Sequence, residues 1–580
     1  MIWSADIDEK TYRNPIIYED YSDPDVCRGR DAYYMTASSF SFVPGLPVLK
    51  SYDLVHWDLV NYALRKIPEF RYREPLHGCG VWAPAIRFCN ETYYIIFPMP
   101  DEGLYMTWTK NPEGEWSGPV KIYDGAGLID PCPFFNEDGR VYLVNGVAKS
   151  RIGYKSVLMM SELSKDLTRI IYGPVKIYDG NEDGNVTIEG PKLYRRKGFY
   201  YIFAPAGGVK TGWQTVLRSR NLYSGWEPHI SMCQGTTGIN GPHQGALIAD
   251  GAGNDFFLHF QDVFAAGRIT HLQPVTWLEG AEGEWPVIGK PISGGDACGE
   301  PVLSSVKPCP IDVTDSSGKV APQTNKKTAC EPSAPAVSLT GENKKSVTGI
   351  EKDEDNVNTY NGLNPPLPWQ WNCNPEEEWL SVPSSGKIRL QSVPAPKERP
   401  LVDIRNLFLR RVSAPELDFS AVLDMRDLPD GGYAGICLSG MSYGGIGIHR
   451  EGDAFFVRNV TGHQVFDCGA AYADERIEEV PFTGRADRFR VSVQIRNVNG
   501  ITAVSDKPVY GPGDEDKVLH PEEEVTLSIG PETGLPEGRK YSITLPMEAG
   551  RWTGAKYGFF VISEIKHRIY EVFADDVILK

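Results

Sequence analysis

Tyr21-Ser22-Asp23-Pro24-Asp25-Val26, with Tyr33-Tyr34-Met35 a few residues on, decides how this chain folds, because the same pattern returns four more times. Each copy is a small polar knot holding a proline, then about a dozen residues that end in an aromatic-rich strand. The later copies are Trp82-Ala83-Pro84 with Tyr93-Tyr94-Ile95, and Ile129-Asp130-Pro131 with Val141-Tyr142-Leu143. They continue with Ile188-Glu189-Gly190-Pro191 and Tyr200-Tyr201-Ile202, then Gly241-Pro242-His243 and Phe256-Phe257-Leu258. A self-similar period of roughly fifty to sixty residues is the signature of a β-propeller, one blade per repeat. Blades are related by rotation about one axis, so equivalent positions converge on it. Three knots hold an acid at nearly the same register: Asp23, Asp130 and Glu189. Three carboxyls far apart in sequence are therefore expected to meet in one central pocket.

Between the knots lie echoes centred on Trp57, Trp116 and Trp226. Each predicts a Trp in an outer strand, wedged between blades or capping its own. Asp-Gly turns at Asp124-Gly125, Asp138-Gly139 and Asp179-Gly180 separate short alternating strands. This pattern covers residues 1–310. Residues 311–364 differ: Ser, Thr, Lys, Asp, Glu and Pro dominate, and the stretch reads as a polar linker. From Pro365 alternation resumes, with strands expected at 388–390, 419–423, 455–457, 489–493 and 571–579. Strands with few helical periods over residues 365–580 suggest a β-sandwich. The fold class is all-β.

A chain of 580 residues is too long for one core. Its net charge of −17 argues against nucleic acid and anionic membrane surfaces as partners, and suits a neutral substrate. No apolar run is long enough to span a membrane. The start, Met1-Ile2-Trp3-Ser4-Ala5-Asp6, lacks the basic and apolar regions of a signal peptide. The expectation is a cytoplasmic protein, or a secreted or periplasmic one if a leader has been removed. Eleven cysteines show neither pairing pattern nor zinc spacing, which mildly favours a reducing compartment. Cys27 and Cys132, close to acids in the knots, read as small apolar fillers.

The knots Tyr21-Ser22-Asp23-Pro24-Asp25-Val26, Gly80-Val81-Trp82-Ala83-Pro84, Ile129-Asp130-Pro131 and Glu189-Gly190-Pro191 resemble those of family 43 glycoside hydrolases in order and spacing. That family is a five-bladed propeller cleaving xylose- or arabinose-containing glycans. The C-terminal part resembles the concanavalin A-like sandwich of its β-xylosidase and α-L-arabinofuranosidase branch. The linker is longer and more polar than in the family.

Hydrolysing a glycoside requires a proton for the leaving oxygen and a carboxylate that activates water. One carboxyl must be protonated while the other is ionised, so their surroundings must differ. The resemblance implies Glu189 as general acid, Asp23 as general base, and Asp130 as a third carboxylate that keeps the acid's pKa raised. Asp25 reads as structural. The resemblance further implies sugar contacts from Arg268, His243 and, beside it, Gln244. Phe40 and Trp82 are candidates for the pocket wall, since sugar C–H faces stack on aromatic rings. No cofactor is required; the one metal considered is a structural calcium at His243. The reading is an exo-acting, inverting hydrolase releasing terminal xylose or arabinofuranose from an oligosaccharide or polysaccharide. An endo-arabinanase and a non-catalytic carbohydrate-binding propeller are the alternatives. The sequence leaves the oligomeric state and the natural glycan open.

Overall fold

In the computed structural model, residues 3–280, 283–292, 297–311, 360–382, 387–396, 398–467, 470–483, 487–498, 522–532, 540–564 and 571–579 are described. The core of the expected linker, 312–359, lies outside them. A proline cannot donate to a β-ladder, so each knot proline must sit at a strand's start or at a bulge. Pro24, Pro84 and Pro191 immediately precede strands Asp25–Arg28, Ala85–Cys89 and Lys192–Arg196. Pro131 lies inside strand Leu128–Phe135, at a break in its register between Ile129 and Cys132.

Each of these strands opens a four-stranded antiparallel meander, and the fourth sheet is extended to six strands by Gly299–Glu300 and Lys290–Pro291. The first runs through Asp25–Arg28, Tyr33–Thr36, Gly45–Ser51 and Asp58–Leu64. The second begins at Ala85, the third at Leu128, the fourth at Lys192 and the fifth at His243. The opening strands touch in order, first to second, second to third and third to fourth, and that of the fifth meets that of the first. The fourth blade meets the opening strand of the fifth through its second strand, Phe199–Ala206. The chain's start is tied to the fifth blade: the side-chain amide of Asn14 donates to Leu272 O and Val302 O, and Asn14 Oδ1 accepts from Leu272 N.

Apolar clusters lie between blades. Met35, Leu49 and Trp57 of the first pack with Ala246, Leu258 and Leu272 of the fifth. Trp116 packs with Tyr34, Ile86 and Tyr93, and Trp226 with Leu158 and Leu217. None of these three Trp residues lies in an outer strand as expected: Trp57 and Trp226 immediately precede Asp58–Leu64 and Glu227–Met232, and Trp116 sits in the loop before Val120–Asp124. Trp57 and Trp116 also donate to their own loops, at Leu54 O and Pro112 O. Asp25 is structural: its buried carboxylate accepts from Ile86 N at 2.7 Å and Arg87 Nη1 at 2.5 Å, joining the first two blades.

From Gln370 onward the chain forms two sheets packed face to face. All five expected strands are present, within Ile388–Gln391, Leu417–Asp424, Ala454–Asp467, Arg488–Asn497 and Glu571–Leu579. The strand Arg488–Asn497 shows the period of two that alternating side chains impose. Phe489, Val491, Val493 and Ile495 enter the core, while Arg488, Arg490, Ser492 and Gln494 lie half-covered on the other face. Among the described residues no helix is long and apolar enough to cross a membrane.

Candidate active site

Asp23 and Asp130 share an uncommon backbone state. Both have left-handed φ, 56° and 54°, and Gly190 (58°) and Gly241 (49°) precede the knot prolines of two further blades in the same state. For a non-glycine residue this costs ~1 kcal/mol or more, so the surrounding contacts must hold it. The turn, just before the opening strand at Asp23 and at a break in it at Asp130, re-aims the side chain and brings carboxyls from separate blades together. Glu189 sits one position earlier than Asp23 in its knot, next to Gly190. Alanine would not fit at 190: a Cβ there would lie 2.8 Å from Gln244 Cδ, on a φ that favours glycine.

Each acid has its own surroundings. The carboxylate of Asp23 accepts Arg268 Nη1 at 2.9 Å on one oxygen and Ser38 Oγ at 2.6 Å on the other. Arg268 is itself buried over the Phe260 ring. A guanidinium and a hydroxyl thus hold the carboxyl in place through both of its oxygens. Asp130 is buried and accepts Gly190 N at 2.8 Å. Burial, then the neighbouring Glu189 and Asp23 carboxyls, push its pKa up to about 8, while the Lys192 charge pulls the other way. Glu189 is the accessible member, its side chain 29% exposed, and Oε1 lies 3.1 Å from His243 Nε2.

The structure therefore brings Asp23, Asp130 and Glu189 into one electrostatic cluster, with Arg268 and His243 in contact with its members. Arg268 contacts Asp23 rather than pointing freely outward. His243 is fully buried and contacts Glu189; its Nδ1 has no partner. Among the described residues no group of three or more His, Cys, Asp or Glu side chains is placed to hold a metal. One spare imidazole nitrogen does not make a calcium site. Gln244 is buried over Gly190 with its Nε2 unpartnered. Phe40 is buried with φ 50° and lies 6.5 Å from the half-buried Trp82 ring. Cys132 is more than a filler: its Sγ accepts Arg87 Nη2 at 2.9 Å.

Four contributors escaped the sequence reading. Ser38 orients Asp23 as described above. Asp20 accepts Arg268 N at 3.0 Å on Oδ1 and Gly554 N at 2.9 Å on Oδ2. Trp552, on a sandwich loop and at φ 61°, stands 4.8 Å from Trp82 and 6.5 Å from Phe40. Arg551 stacks on Trp552 and lines a cleft with Phe40, His77, Ser439 and Gln464. The aromatic wall is thus built by both domains. Asp20 had a faint signal, an acid beside the first knot. Trp552 had none, because its neighbours come from far away in the chain.

Residues 12–283 match the family described as glycosyl hydrolases family 43, and 358–512 match a beta xylosidase C-terminal concanavalin A-like domain. The "Putative beta-xylosidase" of Xylanibacter ruminicola is 34% identical over 450 residues, 77% of this chain and 74% of that protein. A non-reducing end alpha-L-arabinofuranosidase of Bacteroides ovatus is 31% identical over 315 residues, 50% of this chain and 56% of its own length. The fold of xylan beta-1,4-xylosidase from Bacillus halodurans superposes with a TM-score of 0.71 at 19% identity, covering 98% of this chain and 99% of that one.

Proposed function

This chain belongs to glycosyl hydrolase family 43, and from that premise we propose that it is an exo-acting hydrolase releasing terminal xylose or arabinofuranose from plant cell-wall glycans. One observation carries the reading: three carboxyls from three blades sit together in three different environments. Asp23, held on both oxygens by Arg268 and Ser38, is placed to take a proton from the attacking water. Glu189, accessible and touched by His243, is placed to give a proton to the departing oxygen. Asp130, buried beside both, resists ionisation and so adds little negative charge while its proton is in place.

Trp552 supports exo action. A residue from the second domain beside Trp82 and Phe40 narrows an open groove towards a pocket that accepts a chain end. Xylopyranose and arabinofuranose can present similar hydroxyl arrangements to one pocket, and relatives named for each activity fall among those similar to this chain. The test is a panel of 4-nitrophenyl β-D-xyloside and α-L-arabinofuranoside, followed by oligosaccharides. Monosaccharide from the earliest time points supports the reading; oligomers as first products would indicate an endo-arabinanase. No turnover of any glycoside, with binding retained, would leave a carbohydrate-binding propeller.

We propose inversion because Asp23 activates water and forms no bond to sugar. Such sites hold their carboxyls roughly 6.5–9.5 Å apart, against about 5–5.5 Å when one attacks directly. Proton NMR during early turnover reads the first-formed anomer. A product with the configuration of the bond cleaved, or a glycosyl group trapped on Asp23, would reject inversion and leave the substrate class standing.

A further inference from the structure

Two cysteines far apart in sequence meet at the seam between the fourth and fifth blades. Cys233 follows strand Glu227–Met232, the last strand of the fourth blade's meander. Cys298 precedes Gly299–Glu300, on the segment that leaves the fifth blade after Ile288. A parallel bridge pairs Met232 with Gly299, and Cys233 N donates to Gly299 O at 3.0 Å. The two Sγ atoms are 3.8 Å apart, with Cys298 as donor, and both residues are half-buried, within reach of a small reagent. The backbones are fixed on both sides: Glu300 accepts the backbone and hydroxyl of Thr236, and Cys298 O accepts Ile292 N.

We infer that Cys233 and Cys298 form a redox-responsive disulfide that clips the exit of the fifth blade to the edge of the fourth. The sulfurs need to approach by less than ~2 Å to reach bonding distance, a change that side-chain rotation supplies most cheaply. The neighbouring Cys298 thiol stabilises a thiolate on Cys233, whose pKa falls to about 6, so Cys233 is the attacking sulfur. The co-reactant is a low-molecular-weight disulfide. Cys233 thiolate attacks it, forming a mixed disulfide and releasing one thiolate. Cys298 then loses its proton to water and attacks Cys233 Sγ, releasing the second thiolate. Two protein thiols are oxidised and one external disulfide is reduced to two thiols.

The clip has a functional address. The chain from Cys233 runs through 234–242 to His243, the residue that contacts Glu189. It would also close a loop of 65 residues. Constraining such a loop in the unfolded chain raises the thermal midpoint, by about 5 °C here.

The experiment uses the full chain, incubated with oxidised glutathione or with dithiothreitol, then alkylated and mapped by mass spectrometry. The expected result is a cross-linked 233–298 peptide in the oxidised sample, the higher midpoint, and reversal of both by dithiothreitol. Cys298→Ser should instead hold a persistent glutathione adduct on Cys233 and show no rise. Wild-type protein that keeps both thiols, or carries a lasting adduct on either without the cross-link, overturns the inference. The wild-type map decides the matter even if the variant fails to fold.

Discussion

Asp130 is where burial and charge conflict most sharply. Its pKa is raised by burial and by the adjacent Glu189 and Asp23 carboxyls, so the folded protein holds its proton more tightly than the unfolded chain. The folded state then binds the extra proton between about pH 4 and about pH 8, and stability declines as pH rises through that window. Asp130→Asn keeps the acceptor for Gly190 N but removes the titration. We predict that it melts higher than wild type at pH 8, by on the order of 1–3 kcal/mol, and nearly equal at pH 4. Equal effects at both pH values would reject the argument.

The other two acids are separated by leaving group. Asp23→Asn should lose about 10²–10⁴-fold on every substrate, because the attacking water has lost its base. Glu189→Gln should lose a similar factor on xylo-oligosaccharides but much less on 4-nitrophenyl glycosides, whose leaving group departs without a proton. Equal losses of kcat/KM on both would remove Glu189 from the acid's role. The acids were legible because turn chemistry and repetition mark them. Their individual environments were not, since Arg268 and His243 reach Asp23 and Glu189 only after strands of other blades are brought close, and Ser38 only once the first hairpin forms.

At the scale of elements, the fifth blade carries a pH liability. His259 and His271 face each other on adjacent strands, fully buried, with rings stacked at 5.3 Å. Burial lowers the pKa of His259 to about 4 and that of His271 well below the usual histidine range, each further disfavoured by a neighbouring histidine. Both stay neutral when folded, whereas the unfolded chain takes up protons from about pH 6.5 downward. Their stabilising contribution is complete above that pH and is lost as pH falls towards 4. Thermal melts should drop over this range by the equivalent of a few kcal/mol, and His271→Leu should flatten the drop. An unchanged slope in the variant would show that other groups drive acid unfolding. The strands bearing these residues were readable from aromatic alternation. The histidine pairing depends on register across a hairpin and was not. The sandwich strands were likewise readable from their period of two, while the Gly550–Gly554 loop, with neither period nor motif, gave no sign of where it docks.

For the whole molecule, the question is whether the sandwich is an appendage or part of the propeller's own core. The contacts favour the second. Phe42 of the propeller lies in a cluster otherwise made by sandwich residues such as Leu401, Val402, Leu407 and Phe560. Ala265 joins the sandwich's main core, where Ala555 N donates to its carbonyl at 2.8 Å. Trp371 pairs with Val43 across the boundary, Gln370 donates to Pro44 O, and Asn374 Oδ1 accepts Ile67 N. Arg411 stacks on Tyr21 and Lys556 on Phe42, both fully covered. Removing residues 365–580 would expose an apolar face and strip partners from buried polar groups. We therefore predict that the truncated propeller is poorly soluble and melts far below the full chain. That experiment alone cannot separate folding from substrate contact. Trp552→Ala can, because the loop's anchors, Gly554 N on Asp20 and Ala555 N on Ala265 O, are backbone bonds that survive it. If Trp552 walls the pocket, the variant keeps the wild-type melting curve and raises KM for oligosaccharides by about tenfold, with kcat little changed. An unchanged KM would mean that the sandwich serves the propeller's stability and not its substrate.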